Sequence, residues 1–398
     1  MEQDLQKPCR LVEFYDGEYL ENMISLLNHS YSGVTYVYFA GDNEPDQLTR
    51  DILSGFIRRR WGLKTDFLVV SRSSVGGAME AFEALTREEA CDFDITGGSS
   101  VFIAAAGALA GRFPERSIRI HEYDPAAGRC SFRYPEGGGG EKRSPQLTIP
   151  EIMALQKIQI LDAHRPIRYD LEKDGLGREI LRLWNVVRRY LRAWNTLSVT
   201  ATRREGAQIR KRMTRGQWKT CQPMLAAMER EGILSGLTVE QGRDAVVTYR
   251  LETPACTDML YEKGGNLLEL LTYLALERSG GFEDCCTGIM LDWELEDRPV
   301  SGNPFNEIDV LGVRRSVPFL ISCKNAQVKN DFLYEILTMT RHFGGRYAVP
   351  VLVTTAWCSD SIRTRAREMG VVLIDNLRNL SGEAFCRKLK SRLCGRTS

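Results

Sequence analysis

Asn306-Glu307-Ile308-Asp309-Val310 and Pro318-Phe319-Leu320-Ile321-Ser322-Cys323-Lys324-Asn325 decide how this chain is read. Both runs are rich in β-branched and apolar residues and lie a few residues apart. They predict two strands, Glu307–Val313 and Val317–Lys324, paired as a hairpin. Side chains on a strand repeat every two residues, so Ser322 shares a face with Lys324, and the pairing brings Asp309 near both at one strand end. A carboxylate there can hold a hard divalent cation through oxygen. The ammonium can orient a water or stabilise charge growing on a phosphate. Taken alone, the same pair also reads as a plain structural ion pair.

Around this hairpin the pattern gives a helix (Asn266–Arg278), a strand (Thr287–Glu294), a helix (Asp331–Phe343), a strand (Val349–Thr355), a helix (Ser359–Met369) and a strand (Val371–Ile374). That is an α+β or α/β unit of domain size. Upstream, residues 171–252 turn helical, basic and Trp-containing. Gly206–Met213 and Gly216–Glu231 are expected as helices and Gly236–Val239 and Ala245–Leu251 as strands, the order of a winged helix. Its basic run, Arg203, Arg204, Arg210, Lys211, Arg212 and Arg215, is either a DNA-facing surface or a solvated face. Earlier still, Gly137-Gly138-Gly139-Gly140 is expected as a loop tip between strands Arg129–Tyr134 and Gln146–Ile149.

From Leu11 to Tyr134, short apolar runs (Thr35–Phe39, Phe67–Val70, Phe93–Thr96) alternate with helical stretches (Pro45–Trp61, Ala78–Ala90, Ser100–Arg112), which predicts α/β with a largely parallel sheet. Such sheets bind ligands at the carboxyl ends of their strands. Phe93-Asp94-Ile95-Thr96-Gly97-Gly98-Ser99-Ser100-Val101 fits that position. A strand, a Gly-Gly turn and hydroxyls opening a helix present N–H and O–H donors to a phosphate. The expected division is 1–150, 151–255 and 256–398.

The bulk numbers agree with several domains and set limits. At 398 residues and 45.0 kDa the chain exceeds one ordinary core. A net charge of +1 argues against a general nucleic-acid coat, so any such contact must be local. The 11 cysteines contain no CxxC pair and read as reduced thiols. His29, His121, His164 and His342 lack metal-ligand spacing and read as surface or satisfied core histidines. Trp184 and Trp194 read as packing residues of one helix, and no Ser/His/Asp triad is legible. The start of the chain lacks the basic and apolar runs of a secretory signal, and no apolar stretch spans a membrane, so a cytoplasmic protein is expected.

Two resemblances carry function. The order of a helix acid, a strand acid and a strand lysine resembles the PD-(D/E)XK nucleases, with Lys263-Gly264-Gly265-Asn266-Leu267-Leu268-Glu269 similar to their upstream helix. The resemblance implies Glu269, Asp309 and Lys324 as catalytic residues and Glu269 and Asp309 as ligands of Mn2+ or Mg2+. The chain departs at Ser322, where the family has a second acid. Glu307, Asp331 and Glu335 are the candidates to replace it; otherwise the site runs on one weakly held metal or is inactive. The stretch Asp94, Thr96, Gly97, Gly98, Ser99 and Ser100 resembles the signature of CARF (CRISPR-associated Rossmann fold) domains, which bind cyclic oligoadenylate.

Together these resemble the CARF nucleases of type III CRISPR defence, a DUF1887-like family. The implied protein is a homodimer activated by cyclic tetra-adenylate that cuts DNA or RNA. The rival expectations are a ligand-responsive nucleic-acid-binding regulator with a retired site, and a sensor that degrades its own ligand.

Overall fold

The computed structural model describes residues 9–124, 129–135, 146–161, 175–198, 202–205, 208–252, 266–292 and 306–395. The first unit runs β1 (Arg10–Phe14), α1 (Ile24–Asn28), β2 (Gly33–Phe39), α2 (Gln47–Trp61), β3 (Thr65–Val70), α3 (Val75–Glu88), β4 (Cys91–Asp94), α4 (Ser100–Arg112), β5 (Ile118–Asp124) and β6 (Arg129–Tyr134). The sheet order is β3-β2-β1-β4-β5-β6, parallel except for the last pair. Every residue of β2 is buried, as a strand covered on both faces requires. The helices start where their caps dictate: the side chains of Asp46, Ser74 and Ser99 accept backbone N–H groups of the first turns of α2, α3 and α4. Strand order reverses between β1 and β4, and that reversal opens a crevice at their carboxyl ends.

The next elements are α5 (Ile149–Leu155), β7 (Gln159–Ile160), α6 (Leu176–Val187), α7 (Leu191–Ser198), β8 (Thr202–Glu205), β9 (Gln208–Met213), α8 (Arg215–Arg230), β10 (Leu234–Gln241) and β11 (Ala245–Leu251). Two expectations fail here. Gln146–Ile149 is no strand: Thr148 and Glu151 form a capping box, with Pro150 in the first turn, and start α5. Gly206–Met213 is no helix, since Gln208–Met213 is a strand of a four-stranded antiparallel sheet ordered β10-β11-β9-β8. Its burial alternates with period two, and the inward side chains are Ile209, Lys211 and Met213. The Lys211 ammonium donates to the Leu197 carbonyl at 2.5 Å, so this member of the basic run points into the core. Trp184 and Trp194 are buried, on two helices rather than one. The tetraglycine stretch and Lys263-Gly264-Gly265 lie outside the described residues.

The last elements are α9 (Asn266–Ser279), β12 (Asp284–Asp292), β13 (Asn306–Arg314), β14 (Val317–Lys324), α10 (Asn330–Gly344), β15 (Val349–Thr354), α11 (Asp360–Glu368), β16 (Val372–Ile374) and α12 (Gly382–Cys394). Their sheet runs β16-β15-β14-β13-β12-β7, with β14, β15 and β16 parallel and the remaining pairs antiparallel. Val310, Ile321, Val351 and Val353 join α9 and α12 in a core that extends to the four-stranded sheet. Leu311, Leu320 and Leu352 on the other face join α10, α5 and one side of the first unit, through Leu53, Phe56 and Ile57 of α2. Packing therefore runs without a break from the first sheet to the third.

Candidate functional site

The β13/β14 ladder pairs Arg314 with Val317 and continues to Val310 opposite Ile321, where the regular pairing ends. Beyond it the Asp309 carboxylate takes the place of a backbone acceptor. Its Oδ2 accepts from the Cys323 N–H at 2.6 Å and from the Ser322 hydroxyl at 3.3 Å. The strands thus open into a fork with a carboxylate in its throat. Burial pushes the Asp309 carboxyl up, against the opposing Cys323 N–H and Lys324 charge, and Glu307 pushes it further up.

Lys324 shares this end but turns toward α10. Its ammonium pairs with Glu335 at 3.6 Å and lies 5.3 Å from the Phe332 ring centre. The other face of the fork meets α9. The Cys323 thiol packs on Thr272 at 3.6 Å, and the charges of Asp309 and Glu269 both help burial to raise that thiol. Glu269, Asp309 and Lys324 are therefore gathered around one strand end. Glu335 is engaged with Lys324, Glu307 is exposed at the start of β13, and Asp331 is exposed in the first turn of α10. Among the described residues no three His, Cys, Asp or Glu side chains form a metal-binding group. The donor set still suits one hard cation, because Asp309 is half-buried, its carboxylate is fixed by a backbone N–H, and the ammonium beside it pairs with Glu335.

At the first sheet's switch point, Ser99 caps α4 and Ser100 is exposed, while Gly97 and Gly98 are half-buried. Gly98 sits at φ +80°, and a Cβ there would lie 2.4 Å from the Phe14 Cβ. A Cβ on Gly97 would lie 2.4 Å from Glu21 Oε2. Asp94 faces inward instead: its carboxylate accepts from Ser25, from the Thr96 hydroxyl and, at 2.7 Å, from the Thr96 N–H. Thr96 Oγ1 in turn accepts from the Tyr123 N–H at 2.8 Å. Asp94 and Thr96 thus brace the turn, Gly97 and Gly98 pack closely on Glu21 and Phe14, and Ser100 is exposed.

Beneath the turn lies a cluster that the sequence did not disclose. His121 Nδ1 meets Asp92 at 2.8 Å and its Nε2 meets Ser25 Oγ at 2.6 Å and Asp94 at 3.6 Å. Arg119 reaches Asp92 at 2.8 Å. Burial alone would lower the imidazole, but the Asp94 and Asp92 carboxylates outweigh it and push His121 up to about 10. Ser25, His121 and Asp92 have the order of a catalytic triad, yet all are at most 1% exposed, so no substrate reaches the hydroxyl. The cluster is a buried imidazolium held between carboxylates.

The two ends are joined by residues that sequence reasoning also missed. Glu21, 3% exposed, accepts from Arg346 at 2.9 Å and from the Tyr347 hydroxyl, while its Oε2 has no hydrogen-bond partner among the described residues and faces Gly97. Glu18 accepts from the Arg346 N–H at 2.7 Å. Arg346 and Tyr347 follow the carboxyl end of α10, the helix that carries Glu335.

The chain is thus an α/β protein in which a doubly wound sheet with a glycine turn at its switch point packs on a mixed sheet ending in an acid and lysine fork. That architecture is shared with solved structures over nearly its whole length. Protein VC1899 from Vibrio cholerae matches with a TM-score of 0.72 and 17% identity, over 96% of this chain and 98% of that one. Can2 from Sulfobacillus thermosulfidooxidans, solved in complex with cyclic tetra-adenylate, matches with a TM-score of 0.61 and 12% identity, over 98% and 99%. At these identities the likeness is one of fold. No protein-family model and no curated protein matches the sequence. No helix among the described residues is long and apolar enough to cross a membrane.

Proposed function

We propose that the chain is a nuclease of type III CRISPR defence, activated by cyclic tetra-adenylate, with residues 1–150 as sensor, 151–255 as connector and 256–398 as nuclease. The fork carries the reading: a half-buried Asp309 fixed by a backbone N–H, with Glu269 and Lys324 around it, in a chain that shares its fold end to end with a protein solved in complex with that nucleotide.

Glu269 and Asp309 would hold Mn2+ or Mg2+, which supplies Lewis-acid stabilisation of the phosphodiester and lowers the pKa of water. The Cys323 N–H and Ser322 hydroxyl fix the Asp309 rotamer, so Ser322 positions the carboxylate instead of replacing an acid. Lys324 brings a positive charge to the phosphate as negative charge grows on it. Glu335 occupies that ammonium at rest, so moving α10 frees or repositions it.

The activator would sit on Gly97, Gly98, Ser99 and Ser100 across the two-fold axis of a homodimer, because a symmetric ligand is matched by an isologous pair. Seating it against Gly97 presses on Glu21, and Glu21 holds Arg346 and Tyr347 at the end of α10. Binding then shifts an existing equilibrium toward the cutting arrangement.

An assay with single- and double-stranded DNA and RNA, with and without Mn2+ and each cyclic oligoadenylate, tests the reading. Cleavage that needs both metal and cyclic tetra-adenylate is expected, and no cleavage in any arm refutes it. The hydroxyl at Ser322 favours a second reading, a ligand-responsive nucleic-acid binder with a retired site. Oligonucleotide binding without metal-dependent cleavage would select it. A ligand-degrading sensor is tested by chromatography of the nucleotide after incubation.

A further inference from the structure

Large apolar side chains are left in water at few positions among the described residues, and the two aromatic ones, Trp357 at 51% exposure and Tyr334 at 50%, flank the fork. Trp357 lies in the segment after β15. Thr355 donates its N–H to the Lys324 carbonyl at 3.3 Å, so this segment runs directly beside the lysine. The backbone around the indole is pinned on both sides. Gln327 donates to the Trp357 carbonyl at 3.0 Å, and Asp375 accepts the Cys358 N–H at 3.1 Å.

The β14-α10-β15-α11-β16 crossovers share one handedness, so α10 and α11 cover the same face of the sheet, the face to which Lys324 and Glu335 turn. From α11, Arg363 lies 5.1 Å from the Trp357 ring centre and is locked by Asp375 at 2.8 and 3.1 Å. Arg365 reaches the Tyr334 hydroxyl at 3.5 Å. An indole on a fixed backbone, walled by a fixed guanidinium and left half in water, forfeits burial energy that an inward rotamer would gain. Its free surface suits a flat, π-faced partner whose neighbouring phosphates meet the arginines.

We propose that Trp357, framed by Arg363, is a stacking subsite for an unpaired nucleobase of the strand being cut. The subsite rests on the nuclease reading and adds a binding residue to it. Stacking on an aromatic tolerates every base, so the subsite selects for an unstacked nucleotide and not for sequence. Arg363 orients the indole and offers its outer N–H groups to the backbone beside the stacked base.

The test compares full-length wild type, Trp357→Ala and Trp357→Phe with saturating cyclic tetra-adenylate and Mn2+, cutting a 20-nucleotide thymidylate strand and a matching strand of abasic sugars. Trp357→Ala is expected to raise KM for the thymidylate strand about tenfold with little change in kcat, and Trp357→Phe to restore most of it. On the abasic strand the three proteins should be alike. Equal KM for wild type and Trp357→Ala on thymidylate overturns the subsite while the nuclease reading stands. Equal losses on both strands overturn it too, since they assign Trp357 a role in folding. No cleavage of either strand by wild type overturns the subsite, which needs an unpaired strand as substrate; the nuclease reading falls only if the duplex and RNA substrates are also left intact.

Discussion

Asp92 and Asp94, at the carboxyl edge of the first sheet, and Asp309, at the fork of the third, are satisfied in opposite ways. Beneath the glycine turn, Asp92 and Asp94 are matched by the His121 imidazolium, by Arg119 and by the hydroxyls of Ser25 and Thr96. At the fork, Asp309 receives one N–H and one hydroxyl, and the nearby ammonium goes to Glu335. A compensated cluster serves structure. A half-buried charge whose neighbouring ammonium is paired elsewhere costs stability, and a fold that keeps one has a use for it.

The largest expected effect on stability comes from breaking the compensated side. His121→Gln leaves Asp94 buried without its cation and Asp92 with Arg119 alone, and should cost about 3–5 kcal/mol in urea denaturation. The folded pKa of about 10 stands above the ordinary imidazole value of 6.5, so this pairing stabilises fully below pH 6.5 and is lost as pH rises through 10. His121→Gln should lack that alkaline loss. A variant as stable as wild type would erase the contrast between the two edges.

The glycine turn should respond in binding. Gly97→Ala drives a methyl group against Glu21 and should weaken cyclic tetra-adenylate about tenfold by calorimetry, roughly 1.4 kcal/mol. Unchanged affinity would place the ligand elsewhere. The uncompensated side should respond with the reverse sign of stability. Asp309→Asn keeps the shape and removes the charge, so the metal-free protein should gain about 1 kcal/mol while cleavage is lost. A loss of stability would mean that Asp309 is compensated after all. Ser322→Ala removes a single 3.3 Å hydrogen bond and should slow cleavage by no more than about threefold. A large loss would make the hydroxyl a ligand.

Local pattern decided how much of this could be read from the sequence. Val317–Lys324 was legible to the residue, because its apolar and β-branched run ends in a polar edge that fixes both limits. Gln208–Met213 misled because Lys211 occupies an inward position that a charge rarely fills, which hid the period-two pattern. Gln146–Ile149 reads as a strand on its apolar residues, but the Thr148 to Glu151 capping box makes it the start of a helix. At the sites, Glu269, Asp309 and Lys324 stood in recognisable order. Ser25, Asp92 and His121, and Glu21 with Arg346, are brought together only by tertiary packing across 29 to 325 positions, and no local spacing announces them.

The initial rate of strand cleavage by Lys324→Ala, at saturating cyclic tetra-adenylate and Mn2+ with nucleotide binding verified, tests the fork most directly. The rate should fall at least about a thousandfold, and adding Asp309→Ala should lower it little further, because groups that act as one unit are not additive. A Lys324→Ala protein that cuts at the wild-type rate would contradict the account.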